Sequence, residues 1–122
     1  MGTKAIYFDK TKYVKEAFQV LSLKGVIIPE STNYNNVHWC FKYPGLKFDD
    51  KTNKLKLDFT TNDTGTRYTK NDETCLIKGK LTLNNETAYL VHGSTYDFSS
   101  GNYYGEEDFW IQSEFVKILG GG

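Results

Sequence analysis

The residues best suited to chemistry stand close together late in the chain: Glu106, Glu107 and Asp108, preceded by Asp97 and Asn102 and set among the six aromatic residues of positions 96–110. Two carboxyls held roughly 5–10 Å apart across a sugar can act as acid and base, or as acid and nucleophile, in glycoside hydrolysis. The same oxygens, with Asp97 and Asn102, are of the hard kind that Ca²⁺ takes, but their spacing does not follow the EF-hand loop. Three consecutive acidic residues in a segment bounded by Gly101 and Gly105 are more often simply solvated. Neither reading leads, and no cofactor or resident metal is expected.

Nucleophilic catalysis has less to draw on. The chain carries two histidines, His38 and His92, and two cysteines, Cys40 and Cys75. No Gly-x-Ser-x-Gly elbow, phosphate-binding glycine loop, His-Glu-x-x-His or Cys-x-x-Cys occurs. His38 and Cys40 fall two apart on one side of a predicted strand, which makes them neighbours more readily than a working dyad. Two cysteines are too few for a disulfide framework, and strand alternation places them on unrelated faces, so they are expected to stay unpaired.

Recognition fits these residue types better. Tyrosine, serine, glycine and asparagine supply rigid amphipathic rings and adaptable hydrogen bonds, the composition of many binding surfaces. The leading expectation is a non-enzymatic recognition module that binds a protein surface or a glycan through an aromatic, acidic loop. Its contact residues are Tyr96, Asn102, Tyr103, Tyr104, Glu106, Glu107 and Asp108, with Phe109 and Trp110 assigned to the core. Two alternatives stand beside it. One is a small carboxylate-based hydrolase of the glycoside type. The other is a barrel holding an apolar ligand, lined by Trp39, Phe41, Tyr43, Phe59 and Tyr89.

Charge sharpens the choice of partner. The 122 residues carry 15 basic and 15 acidic side chains, yet no Lys or Arg lies between Lys80 and Lys117. An acidic, lysine-free segment predicts a basic or polyhydroxyl partner, and binding that weakens with salt. Nucleic acid is a poor partner for a chain whose one arginine is Arg67, because phosphate and base-edge contacts draw on clustered Lys and Arg. Lys42, Lys47, Lys54 and Lys56 read as a solvated strand face. No apolar run approaches the ~18 residues of a membrane span. The start of the chain lacks a signal-peptide apolar region, which with the low cysteine count leans toward the cytoplasm. The sequons at Asn62 and Asn85 lean weakly the other way.

These groups need elements to hold them. Residues 4–8 read as a first strand. Val14, Ala17, Phe18 and Leu21 fall at helical spacing and predict one amphipathic helix that ends at Gly25. Val26, Ile27 and Ile28 form a strand stopped by Pro29, and residues 37–43 alternate. Residues 46–48 and 54–59 flank a hairpin loop, with Leu55, Leu57 and Phe59 facing in. A short strand is expected near residues 66–69. Residues 75–83, with a bulge at Gly79, turn at Asn84 and Asn85 into residues 87–92, and residues 109–119 form the last strand. The expected fold is one α+β, strand-dominated domain. It is a mostly antiparallel curved sheet or small barrel of about seven or eight strands with the early helix packed on it, and residues 1–3 and 120–122 are its loose ends.

Overall fold

The computed structural model describes residues 14–15, 17–30, 36–59 and 67–121. Among them nine strands follow in order: β1 (Phe18–Ile27), β2 (Val37–Trp39), β3 (Leu46–Asp49), β4 (Lys54–Leu57), β5 (Arg67–Lys70), β6 (Thr74–Leu83), β7 (Glu86–Asp97), β8 (Tyr103–Gln112) and β9 (Val116–Gly121). Seven make one antiparallel sheet in the order β2-β5-β7-β6-β1-β9, with β8 on the other edge of β7; β3 and β4 pair as a separate hairpin. The sheet stays open. β2 and β9 end its path, and the segment after β2 meets β8 through one isolated bridge, Phe41 to Trp110, instead of a ladder. The small-barrel expectation is corrected accordingly.

The predicted helix is corrected as well. Phe18 and Leu21, the last two residues of its apolar face, lie in β1, and the chain is already extended at Phe18. Val14, Lys15 and Ala17 are helical, and the rest of that prediction, like the first strand at residues 4–8, lies outside the described residues. Tertiary pairing overrides the local spacing: Phe18 pairs with Leu81 and Val20 with Gly79, and β-pairing across a sheet outweighs a weak helical preference.

Two bulges decide what each half of the sheet shows to each side. The β1–β6 register shifts between Val20 and Leu23, and the β6–β7 register shifts between Ile77 and Gly79. An extra residue in a strand flips the faces beyond it. On one side of the bulges Ile27, Ile77, Val91, Phe109, Ile111 and Val116 gather with Cys40 and Cys75 into a core on what is here called the front face. On the other side Leu81, Leu83 and Ala88 turn to the back face, where the β3–β4 hairpin covers them with Leu55 and Leu57. Gly79 sits at the switch because the ring of Phe18 lies where its side chain would be: an added Cβ would come within 2.1 Å of that ring.

The turns follow the sequence. Asn84 and Asn85 both have positive φ and join β6 to β7, as asparagine permits in a two-residue hairpin. Asn53, with φ of 60°, closes the β3–β4 loop and donates its N–H to the Asp49 carbonyl. The expected last strand divides into β8 and β9 at a 3₁₀ turn, Ser113–Phe115. Phe115 stacks on His38 at 4.5 Å, tying this turn to β2. Both cysteines are free and buried; burial pushes the Cys75 thiol up to about 11 and the Cys40 thiol higher still.

Candidate functional site

Residues 96–110 are not a loop. Tyr96 and Asp97 end β7, residues 98–102 turn the chain, and β8 begins at Tyr103. Asp97 organises the turn: its side chain accepts from the Ser99 N–H and hydroxyl, which hold its carboxyl below the usual carboxylate range, with the Ser99 hydroxyl the larger cause. Asn102 serves through its backbone, its carbonyl accepting from the Asp97 N–H and its N–H donating to the Ser100 hydroxyl.

Strand alternation then separates the acidic run. His92 pairs with Asp108, Gly93 with Glu107, Ser94 with Glu106 and Thr95 with Gly105. Successive side chains point to opposite faces, so Glu107 falls on the front face beside Thr95, and Glu106 and Asp108 fall on the back face beside Ser94 and His92. Glu107 accepts from the Thr95 hydroxyl at 3.0 Å and lies 3.5 Å from Nε of Arg67. Tyr104 is the extra residue where the β7–β8 register shifts between Thr95 and Tyr96; the following Gly105 takes a φ of 151° that only glycine adopts readily. The Arg67 guanidinium covers the Tyr104 ring at 3.3 Å, placing Tyr104 with the front-face group. Of the three consecutive carboxylates, Glu106 and Asp108 thus share one face, both beside His92, and Glu107 is turned to the other. The calcium set with Asp97 and Asn102 is not brought together, and among the described residues no group of His, Cys, Asp and Glu is arranged to hold a metal.

The back face is different. Register places Trp39 opposite Tyr68, Tyr68 opposite Tyr96, and Tyr96 opposite Tyr103. At ~4.8 Å between strands, these four rings form a row about 14 Å long across β2, β5, β7 and β8. The three tyrosines touch one another: Tyr68 and Tyr96 are near parallel at 5.8 Å, and Tyr96 and Tyr103 meet edge to face at 5.7 Å. Phe98, from the turn, packs on Trp39 at 4.9 Å and stays 62% exposed; Tyr103 is 58% exposed. Lys70 lies over the Tyr96 ring at 4.1 Å. The Tyr96 hydroxyl donates to Glu73, and that bond is the main reason its pKa is pushed up to about 12.

Beside this row lies a charged one. Asp108 accepts from Lys78 at 2.7 Å and bonds His92 Nδ1 at 2.7 Å. The Lys78 bond, then the His92 bond, hold its carboxyl below the usual range. The other ring nitrogen of His92 is 3.5 Å from Glu106. A ring that donates to Asp108 through Nδ1 can donate to Glu106 only in its protonated form. Of the sequence-predicted residues, Tyr96, Tyr103, Glu106 and Asp108 share the back face; Tyr104 and Glu107 belong to the front, and Asn102 to the turn.

Sequence reasoning missed Trp39, Tyr68, Phe98, Lys70 and Glu73 as parts of this surface. Alternation did place Trp39 opposite His38, but nothing local says that β2 reaches β7 through β5. His38 and Cys40 are the buried pair, because His38 Nε2 meets the Ile28 carbonyl and the Asn71 side chain, each at 3.0 Å. Of the five residues proposed to line an apolar cavity, Trp39, Phe41 and Phe59 do line a groove of about 570 Å³ on the back face. Tyr43 is exposed, and Tyr89 packs with the front core. No helix is long and apolar enough to cross a membrane among the described residues. Comparison with family models, curated proteins and solved structures finds no match, so function has to be argued from these surfaces themselves.

Proposed function

We propose that the protein is a non-enzymatic recognition module whose back-face aromatic row takes a protein surface. The observation that carries this reading is the register that puts Trp39, Tyr68, Tyr96 and Tyr103 side by side with Phe98 on a part of the sheet over which no other described element packs. Tyrosine and tryptophan dominate the energetics of protein interfaces because they offer large contact area at small entropic cost. Exposed Val37, Phe98 and Tyr103 add an apolar patch of the kind that marks a contact site. A glycan stacks on an open ring face, whereas Lys70 covers Tyr96 and Phe98 covers Trp39. That leaves less open ring face for a sugar, and exposed Phe98 and Tyr103 for the apolar side chains of a polypeptide. Glu106 and Asp108 alongside favour a partner with basic groups, whose association slows as salt rises.

The test compares the parent with a Phe98→Ala/Tyr103→Ala double variant, folded by circular dichroism, as bait in an extract of the source organism and on a glycan array. A polypeptide captured by the parent and lost by the variant supports the reading. Capture that survives the substitutions moves recognition off this face, and glycan binding alone would replace the protein partner by a sugar. A hydrolytic reading draws on one arrangement, His92 between Asp108 and Glu106. Turnover of an aryl glycoside that is lost in Glu106→Gln would establish it over the recognition reading.

A further inference from the structure

The groove floored by Trp39, Phe41 and Phe59 has carboxylates at its margins, Asp58, Glu86 and Glu114, and no Lys, Arg or His among its described lining residues. A cavity of this size, aromatic below and negative at the rim, suits a cation with an apolar stem, because ring faces and carboxylates both attract positive charge. The chain holds such groups next to it. The β3–β4 hairpin sets Lys47 directly opposite Lys56, with Lys54 two pairs further on, opposite Asp49. Lys42 and Lys51 are exposed in the flanking turns. Like charges directly across a strand pair destabilise it, and on this hairpin Asp49 is the carboxylate whose charge meets Lys56. The same hairpin region leaves Tyr43 and Phe48 60% and 45% exposed.

The geometry points to a second copy of this chain as the occupant: the lysine-bearing hairpin of one protomer lies in the aromatic, acidic groove of its partner, and the reverse contact forms at the same time. Hairpin and groove are contiguous, since Asp58 and Phe59 directly follow β4. A patch that carries both a positive ridge and a negative trough side by side is self-complementary about a two-fold axis, which is the condition for a closed dimer instead of an open chain. Each protomer relieves its Lys47–Lys56 repulsion against the other's carboxylates.

Sedimentation velocity and light scattering of the parent across micromolar to millimolar concentration test this directly. The expected result is a shift from monomer to dimer mass at low salt, reversed near ~1 M salt, where charges are screened within about 3 Å. Lys47→Glu/Lys56→Glu and Glu86→Lys/Glu114→Lys are each expected to stay monomeric alone and to form a mixed dimer on equimolar mixing, because the reversed signs then match. The Phe98→Ala/Tyr103→Ala variant should dimerise as the parent does, which separates this contact from the aromatic row. A parent monomeric at every concentration, a dimer that survives both reversals, or growth beyond the dimer would each overturn the proposal. Binding of spermidine by a parent that stays monomeric would assign the groove to a free organic cation instead.

Discussion

On the front face of the β7–β8 hairpin Val91, Thr95, Phe109 and Ile111 are buried, whereas one residue away on the back face His92, Ser94, Tyr96, Glu106 and Asp108 remain partly open. The same two strands supply both sets. The period of two does all of the sorting, and it gives neighbouring residues different work. Glu107 serves the fold, holding Thr95 and Arg67, and Glu106 and Asp108 face solvent around His92. Three carboxylates adjacent in sequence are thus two on one surface and one on the other. A reading that treats them as one acidic patch joins groups that the sheet keeps apart.

The contrast is broken most severely by substituting one ring on each face. Phe109 is 2% exposed in the front core, and Phe109→Ala should cost about 3–5 kcal/mol of unfolding free energy through lost burial and the cavity left behind. Tyr103→Ala, on the open face, should stay within roughly 0.5 kcal/mol of the parent, as surface changes do. Denaturant unfolding of both variants with unchanged slope measures the difference. Equal losses would mean that the tyrosine row is packing and not a contact surface, which would remove the basis of the recognition reading.

How much of this was legible in the chain depends on the range over which each feature is determined. Leu55, Leu57 and Phe59 face inward as their alternation says, the Asn84-Asn85 hairpin turns where expected, and the bulge at Gly79 is real. Each of these is fixed by a few neighbouring residues. The helix expected over Val14–Leu21 gives way to β1 from Phe18 on, because the spacing that suits a helix is met there by pairing with β6, and pairing partners some 60 residues away leave no local trace. The candidate site shares that difficulty. Tyr96 and Tyr103 could be found because a hairpin brings them together, but Trp39 and Tyr68 join them only through a three-strand path, β2 to β5 to β7. Alternation separates His38 and Cys40 from Trp39, but which of the two sides is buried depends on distant groups: His38 meets the Ile28 carbonyl and the Asn71 side chain and is buried.

A smaller effect sharpens the comparison within the acidic run. Removing Glu107 by Glu107→Ala takes a charged partner from Arg67 and one of the two acceptors of the buried Thr95 hydroxyl, which keeps the Gly105 carbonyl, and should cost about 1 kcal/mol. Glu106→Ala removes a 3.5 Å contact to a half-open His92 and should cost between about 0 and 1 kcal/mol, as exposed pairs do. Thermal unfolding of the two variants side by side ranks them. The reverse order would place Glu106, and not Glu107, in the scaffold.

The smallest effect is read by pH, and its sign distinguishes the two rows of the back face. Tyr96 donates to Glu73, and ionising the phenol would lose that bond and set two anions together; its pKa is accordingly raised to about 12 from an ordinary value near 10. A raised folded value means that the stabilisation is complete below about pH 10 and is lost as pH climbs through about 12. Asp108 behaves oppositely. Its pKa is lowered by Lys78 first and His92 second, so its contribution is complete above the ordinary carboxylate value and fades as acid takes pH down through the depressed one. Tyrosinate absorbance of the folded protein should therefore include a step near pH 12, and Tyr96→Phe should delete that step. A parent titration that already finishes near pH 10 would show the Glu73 bond unheld in solution, and a row of rings free to turn their faces outward is the surface a glycan would need.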